Sequence, residues 1–332
     1  MATIKDIANK LGVAVSTVSK GLNGASDISD ELRELVLDTA IEMGYVSKKM
    51  RAEGTRKLCI FIENMDYENT NLFAYEVIVG FKHMALRDNW HVAVVPVTSD
   101  LQETIKYDNY MMKNGFTAAF LLGFTLEDLW IKQLAKTTFP TVLLDNFIPR
   151  NPLVSYVGTD NYEGVHSVIE HLKQLGHTQI AFLNGPENSM VSQKRYHAFL
   201  SSMEAFGLNP NPKLIEYGYY MPECAKYYVP GFLDLGATAI VCASDMIALG
   251  VIEECRHRGF RVPDDISVIG FDDLPLSTEL TPPLTTIHQD RTALGKSAYM
   301  SIDGLIHNIP IGELLLRPRF VKRSSTSAAI PR

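Results

Sequence analysis

Apolar positions near the start of the chain recur at helical spacing. Ile4, Ile7, Ala8 and Leu11 share one face, and Gly12 breaks the run. A second short segment, 15–22, then places Val18 and Leu22 together. Thr3 with Asp6 three residues on is close to a capping box and predicts where the first helix begins. Ser29 opens a third helix carrying Leu32, Leu35, Val36, Ala40 and Met43, and Gly44 stops it. Two short helices joined by a glycine-containing turn fit a helix-turn-helix, and also an ordinary helical hairpin. The outward side of the second helix would carry Val15, Ser16, Thr17, Ser19 and Lys20. These are small, hydroxylated or basic residues able to approach base edges and phosphates.

Between 46 and 57 no period is sustained, which predicts a linker, although Met50 and Arg51 also allow a short helix. After Leu58 the pattern changes to apolar runs of strand length alternating with helical segments. Strands are expected at 58–63, 91–97, 117–122 and 141–145, and a second series at 155–158, 179–185, near 214, 239–244 and 267–273. Apolar strands separated by helices predict parallel sheets covered on both faces. Two doubly wound units in series predict two lobes with a cleft between them, where ligands sit beyond the carboxyl ends of strands. Asp145, Asp160, Ser244, Asp245 and Asp272 each follow a strand-like run. Asp160 and Asp245 are expected to cap the next helix. The fold class is therefore an N-terminal all-α helix-turn-helix headpiece joined to an α/β core of two doubly wound lobes. The expected boundaries are 1–46 for the helical N-terminal unit, 47–57 for the linker and 58–332 for the two-lobed core.

Composition changes this picture little. The chain has 332 residues, is 46% hydrophobic and 21% charged, as ordinary globular proteins are, and carries a net charge of −7. An acidic total argues against nucleic acid, but the distribution does not. Lys48, Lys49, Arg51, Arg56 and Lys57 cluster against Glu53 alone. The acids of the N-terminal region group instead as Asp27, Asp30, Glu31, Glu34, Asp38 and Glu42, expected on one later helix turned from DNA. Cys59, Cys224, Cys242 and Cys255 have no paired spacing, and Cys59 and Cys242 read as buried thiols. The start of the chain lacks an apolar leader and no run reaches membrane-spanning length, so a cytoplasmic protein is expected. No G-x-G-x-x-G follows a strand, and the P-loop, G-x-S-x-G and H-E-x-x-H patterns are missing. His166 and His171, five apart, do not share a helix face as metal ligands would. No enzyme, cofactor or metal is called for, although strand-end carboxylates could serve acid–base chemistry as well as ligand hydroxyls.

With both halves read, the chain resembles the lactose/galactose repressor family. TIKDIANKLGVAVSTVSKGLNG and DISDELRELVLDTAIEMGY resemble its DNA-binding headpiece. NLFAYEVIVGF, VGTDNYEG, HLKQLGHTQIAFLNGP, ASDMIALG and RVPDDISVIGFDDLPLSTELTPPLTTIHQD stand in the order of its effector-binding core. The resemblance covers nearly the whole chain. It implies a homodimer on pseudo-palindromic operator DNA, with half-sites about one helical turn apart, controlled by a small-molecule effector, most simply a carbohydrate. It implies base-reading positions at Val15, Ser16 and Lys20. Thr3, Thr17, Ser19 and Asn23 take phosphate or hinge positions, and Lys48, Lys49, Met50 and Arg51 join them in the linker. In the core it implies effector contacts from Phe73, Asp145, Arg195, Tyr220, Ser244, Asp272 and Gln289. The types suit a polyhydroxylated ligand, which needs charged or planar groups for its hydroxyls and an aromatic for its apolar face. Phe73 reads equally as a core residue.

Three departures stand out. Ala14 occupies the capping position of the recognition helix, where a hydroxyl would contribute about 1 kcal/mol. Lys20 is a point charge where the family usually has the forked guanidinium of arginine. The linker is shorter than the usual hinge and has Gly54 near an expected minor-groove leucine, leaving Met50 as its apolar wedge. The expected function is sequence-specific repression, with effector binding coupled to operator affinity by ~1–3 kcal/mol. The competitors are a solute-binding receptor, which needs an export signal, and a cytoplasmic sugar-binding protein or enzyme without a DNA role.

Overall fold

The structure, a computed structural model, describes residues 3–23, 25, 27–43, 45 and 56–330. The expectations placed on Gly44, Lys48, Lys49, Met50, Arg51 and Gly54, on the course of the hinge, and on the side chain of Asn23 lie outside the described residues.

Three helices form at the N-terminus. In α1 (Ile4–Leu11), the Thr3 hydroxyl accepts from the Asp6 N–H at 3.3 Å, and the Asp6 carboxylate accepts from the Thr3 N–H at 2.8 Å. The expected capping box is therefore complete. Gly12 ends the helix at φ 66°, a left-handed position that costs glycine little. Helix α2 (Val15–Asn23) starts without a capping hydroxyl, and the Ala14 carbonyl accepts from the N–H groups of Thr17 and Val18. In α3 (Asp30–Glu42) the Ser29 hydroxyl accepts from the Leu32 N–H, so Ser29 opens the helix as expected. Ile7, Ala8, Val18, Val36 and Ala40 form the shared apolar centre. Gly21 lets α2 and α3 close on each other, because a Cβ there would lie 2.9 Å from Val36 Cγ1. Asp27 departs from the expected grouping of acids. It precedes α3 and pairs with Lys20.

The described core is an alternation of β1 (Lys57–Ile62), α4 (Phe73–Arg87), β2 (His91–Pro96), α5 (Ser99–Thr104), α6 (Tyr107–Asn114), β3 (Ala118–Leu122), α7 (Leu129–Gln133), β4 (Thr141–Leu144) and β5 (Val154–Thr159). It continues through α8 (Asn161–Gln174), β6 (Ile180–Asn184), α9 (Met190–Ala205), β7 (Ile215–Tyr217), α10 (Ala225–Asp234), β8 (Ala239–Cys242), α11 (Asp245–His257), β9 (Ser267–Ile269) and α12 (Leu276–Glu279). The chain ends with β10 (Thr286–His288), α13 (Arg291–Ile306), β11 (Glu313–Leu316) and β12 (Arg319–Val321). These last four elements follow the point where the apolar alternation fades, and their burial depends on partners far back in the chain.

Two compact units emerge. The first comprises Met1–Met65, Phe81–Tyr156 and Lys296–Leu314, and the second Asp66–Gly80, Val157–Gly295 and Leu315–Arg332. In the first, the sheet order is β11-β5-β4-β3-β1-β2, with β1 parallel to both β2 and β3. Every β3 side chain is buried, whereas edge strand β2 is half-buried despite its apolar sequence, since no strand covers its outer side. Phe61, Tyr107, Phe116 and Trp130 fill the core beneath with edge-to-face rings. The headpiece lies in this unit, where Asp38 of α3 accepts from Lys106 Nζ at 2.7 Å.

In the second unit β7-β6-β8-β9 are all parallel. The chain order reverses between β6 and β8, so the crevice beyond their carboxyl ends is the natural ligand position. Cys59 and Cys242 are buried free thiols, as are Cys224 and Cys255, and burial pushes the Cys242 thiol well up.

Candidate functional site

The headpiece exposes the face expected to meet DNA. On α2, Val18 and Gly21 are buried, which turns Val15, Ser16 and Lys20 outward, with Thr17 and Ser19 half-buried at the margin. Val15 is 44% exposed, an apolar group left at the very start of the helix. Such a side chain suits a thymine methyl. Lys20 pairs with Asp27, and that pairing holds the Asp27 carboxyl below its usual range. A base or phosphate approaching Lys20 would compete with this carboxylate for the ammonium charge. Thr3 donates its hydroxyl to Asp6 at 2.7 Å, so a phosphate would have to compete with the cap.

The second unit gathers most of the residues expected to hold an effector. Arg195, on α9, is 3% exposed. Its Nε donates to Asn161 Oδ1 at 2.8 Å, an Nη donates to the Ala243 carbonyl, and its guanidinium lies 3.7 Å from the centre of the Phe271 ring. Asp272 accepts from Gln289 Nε2 at 2.7 Å. Burial raises its pKa above the carboxylate range, Arg195 pulls it back down, and Asp245 pushes it up again. Gln289 Oε1 is a buried acceptor without a partner among the described residues. An acceptor left open beside a buried acid and an arginine is what a ligand hydroxyl or N–H would satisfy.

The backbone at this point is unusual. Asp272 has φ 121° and Asp273 φ 56°, and positive φ in two successive non-glycine residues costs roughly 1–3 kcal/mol each. Asp245 holds the turn in place. Its carboxylate accepts from the Leu274 N–H at 2.8 Å, Ser277 Oγ at 2.5 Å and Thr286 Oγ1 at 2.6 Å. Asp245 is thus a brace, and the expectation that it caps α11 is corrected. Ser244 is the cap, accepting from the Ile247 N–H at 3.1 Å, which leaves its hydroxyl proton and a second lone pair for a ligand. Asp160 does cap α8, accepting from the Glu163 N–H.

The other expected contacts are placed less tightly. Tyr220 meets Ser192 Oγ at 3.0 Å and packs over Gly185, where a Cβ would come within 2.3 Å of its ring. Gly185 lies just beyond the end of β6, and Ser192 lies in the first turn of α9. Phe73 is the half-buried first residue of α4, in the same unit. Asp145 lies in the first unit, after β4, with φ 52°. A recess of about 590 Å³ in the second unit also borders Asn161, lined by Asp160, Tyr162, Met190, Lys194 and His197 and by none of the expected ligands. Asn161, Ser192 and Phe271 were not legible as site residues, since Asn161 meets Arg195 only across 34 residues of chain.

Comparison with known proteins joins the two halves. Residues 3–48 match the bacterial regulatory proteins of the lacI family, and residues 169–326 match a periplasmic binding protein-like domain. The chain is 28% identical over 305 residues to the HTH-type transcriptional repressor PurR of Aliivibrio salmonicida, covering 90% of each. It is 27% identical over 336 residues to the repressor CytR of Escherichia coli K12, covering 98% of this chain and 97% of that one. Among solved structures, a Lac repressor dimer bound to operator and an anti-inducer superposes with a TM-score of 0.71 at 25% identity, over 98% of this chain. A complex of the regulator CelR with cellobiose shares the fold at a TM-score of 0.74 and 23% identity. No described helix is long and apolar enough to cross a membrane.

Proposed function

Because the chain belongs to the lacI family of bacterial regulatory proteins, we propose the following division of labour within an effector-controlled, DNA-binding transcriptional repressor. Residues 1–46 read the operator, 47–57 form the hinge, and 58–332 bind effector and dimerise. Val15, Ser16 and Lys20 contact bases, while Thr3, Thr17, Ser19 and Asn23 contact phosphate or sugar. Two chains bind a pseudo-palindromic operator as a homodimer, the arrangement named for the related Lac repressor dimer.

The effector is a carbohydrate or sugar derivative held by Arg195, Asp272 and Gln289, with Tyr220 as the apolar platform. Phe73 and Ser244, in the same unit, add further contacts. The protein regulates in the cytoplasm and does not turn its ligand over, in keeping with relatives that are repressors.

One observation carries this reading. A recognition face left open by burial of Val18 and Gly21 stands in the same chain as a buried Arg195–Asp272–Gln289 group with an unfilled acceptor. The test is a titrated gel shift on a duplex selected from a random library, with effector chosen by thermal shift, which reports ligands that bind only the native state. Wild type should change its operator affinity with effector by about 5–150-fold, and Arg195→Ala should lose that response. An intact response in Arg195→Ala would overturn the assignment.

A further inference from the structure

Arginine has a long side chain with many rotamers, so a buried guanidinium that must meet a ligand needs something to aim it. The structure supplies three fixtures, all within the second unit. Asn161 is the first residue of α8, immediately after the cap Asp160, so its backbone is set by the helix start. Its Nδ2 donates to the Thr159 carbonyl at 3.0 Å, which settles the amide orientation and turns Oδ1 towards Arg195 Nε. The Ala243 carbonyl takes an Nη proton. Phe271 sets its ring beneath the cation, in space that Gly164 leaves open, since a Cβ at 164 would stand 3.1 Å from that ring.

These three partners are neutral. They fix the plane of the guanidinium and consume two of its five N–H donors without cancelling its charge. The remaining donors keep their attraction for a ligand oxygen. A carboxylate in the place of Asn161 would form an ion pair with Nε instead, and would face the Thr159 carbonyl with a second negative oxygen.

We propose that Asn161, backed by Phe271, is the positioning residue that aims Arg195 at the effector. The proposal rests on the reading of Arg195 as an effector ligand. Asn161 acts only through Arg195 and touches no effector atom. Its neutrality sets how strongly the site attracts anionic or hydroxyl oxygens.

The experiment uses the full-length protein and two measurements. The first needs no ligand: the ¹⁵N-resolved Nε–H signal of Arg195 should be slow to exchange in wild type and fast in Asn161→Ala. The second uses whichever of D-ribose, D-galactose, cellobiose, cytidine and hypoxanthine most raises the wild-type Tm. Asn161→Ala should weaken its binding about tenfold, the scale of one hydrogen bond to a charged group. Asn161→Asp should weaken it too, although it retains the acceptor. In an Arg195→Ala background, Asn161→Ala should cost less than twofold more. Phe271→Leu, which keeps the site apolar, provides a second variant with slower signal loss and a smaller affinity loss. A protected Nε–H in Asn161→Ala, or an equal loss with and without Arg195, would overturn the proposal. If Arg195→Ala binds the probe as wild type does, the effector reading falls, and the exchange measurement alone decides whether Asn161 holds the guanidinium.

Discussion

Replacing Gly21 by alanine sets two effects of opposite sign against each other in the headpiece. Glycine inside a helix is less favourable than alanine by about 1 kcal/mol, so on propensity alone the change should stabilise α2. The added Cβ, however, would stand 2.9 Å from Val36 Cγ1, 3.0 Å from Val36 Cβ and 3.2 Å from Val36 Cγ2. Carbon atoms prefer separations of about 3.5–4.0 Å, so all three contacts are repulsive. Val36 is fully buried on α3 and, as a β-branched residue in a helix, has essentially one rotamer to offer. Relief must come from moving α3 away from α2, and overpacking of this kind costs about 1–3 kcal/mol. The packing term wins, for a net loss of about 1 kcal/mol after the propensity gain is subtracted. Amide hydrogen exchange across α2 and α3 in the full-length chain measures this directly, as faster exchange in the variant. The double variant Gly21→Ala with Val36→Ala should be less destabilised than the sum of the singles, because the clash is gone. Slower exchange in Gly21→Ala than in wild type would refute the close approach of the two helices.

Three further outcomes can be checked. Lys20→Ala should weaken binding to a selected operator more than to random-sequence duplex, and Asp27→Asn should strengthen both by releasing Lys20 from its partner; equal losses on both DNAs would reduce Lys20 to a phosphate contact. Glu63, buried beside Asp128 and hydrogen-bonded by Gln102, has its pKa raised from 4.5 to about 7, first by burial and then by the Asp128 charge. The unfolded chain releases this proton first, so Glu63 lowers stability progressively between pH 4.5 and about 7 and adds no further slope above it. A Tm–pH profile of Glu63→Gln should be flatter in that window, and an unaltered slope would contradict the assignment. Asp245→Ala strands three buried donors and should destabilise the second unit by roughly 3–5 kcal/mol, seen as a drop in urea midpoint, whereas a loss below 1 kcal/mol would mean the brace is idle.

Much of this protein is legible in one dimension because the forces involved are local. The capping box at Thr3 and Asp6, the stop at Gly12, the start at Ser29 and the apolar periods of β1, β3, α1 and α8 are contests among neighbours in the chain, and the sequence contains both sides. The outward face of α2 follows by subtraction, once Val18 and Leu22 are assigned to the headpiece core. Arg195 and Asp272 stood out through the resemblance of the motifs around them, not through any local signal.

Tertiary structure alone settled which groups those two residues meet. Asp245 looked like a cap because it begins α11, yet its carboxylate is claimed by donors at 274, 277 and 286, which only the fold brings near. The sequence puts Lys20 on the outward side of α2, and only the fold sets Asp27 beside it. Asn161 carried no signal, since its meaning lies in an arginine 34 residues on. Helical and strand periods report short-range preference and burial. The partner of a buried charge is chosen by the three-dimensional competition for desolvated hydrogen bonds, which no window of sequence contains.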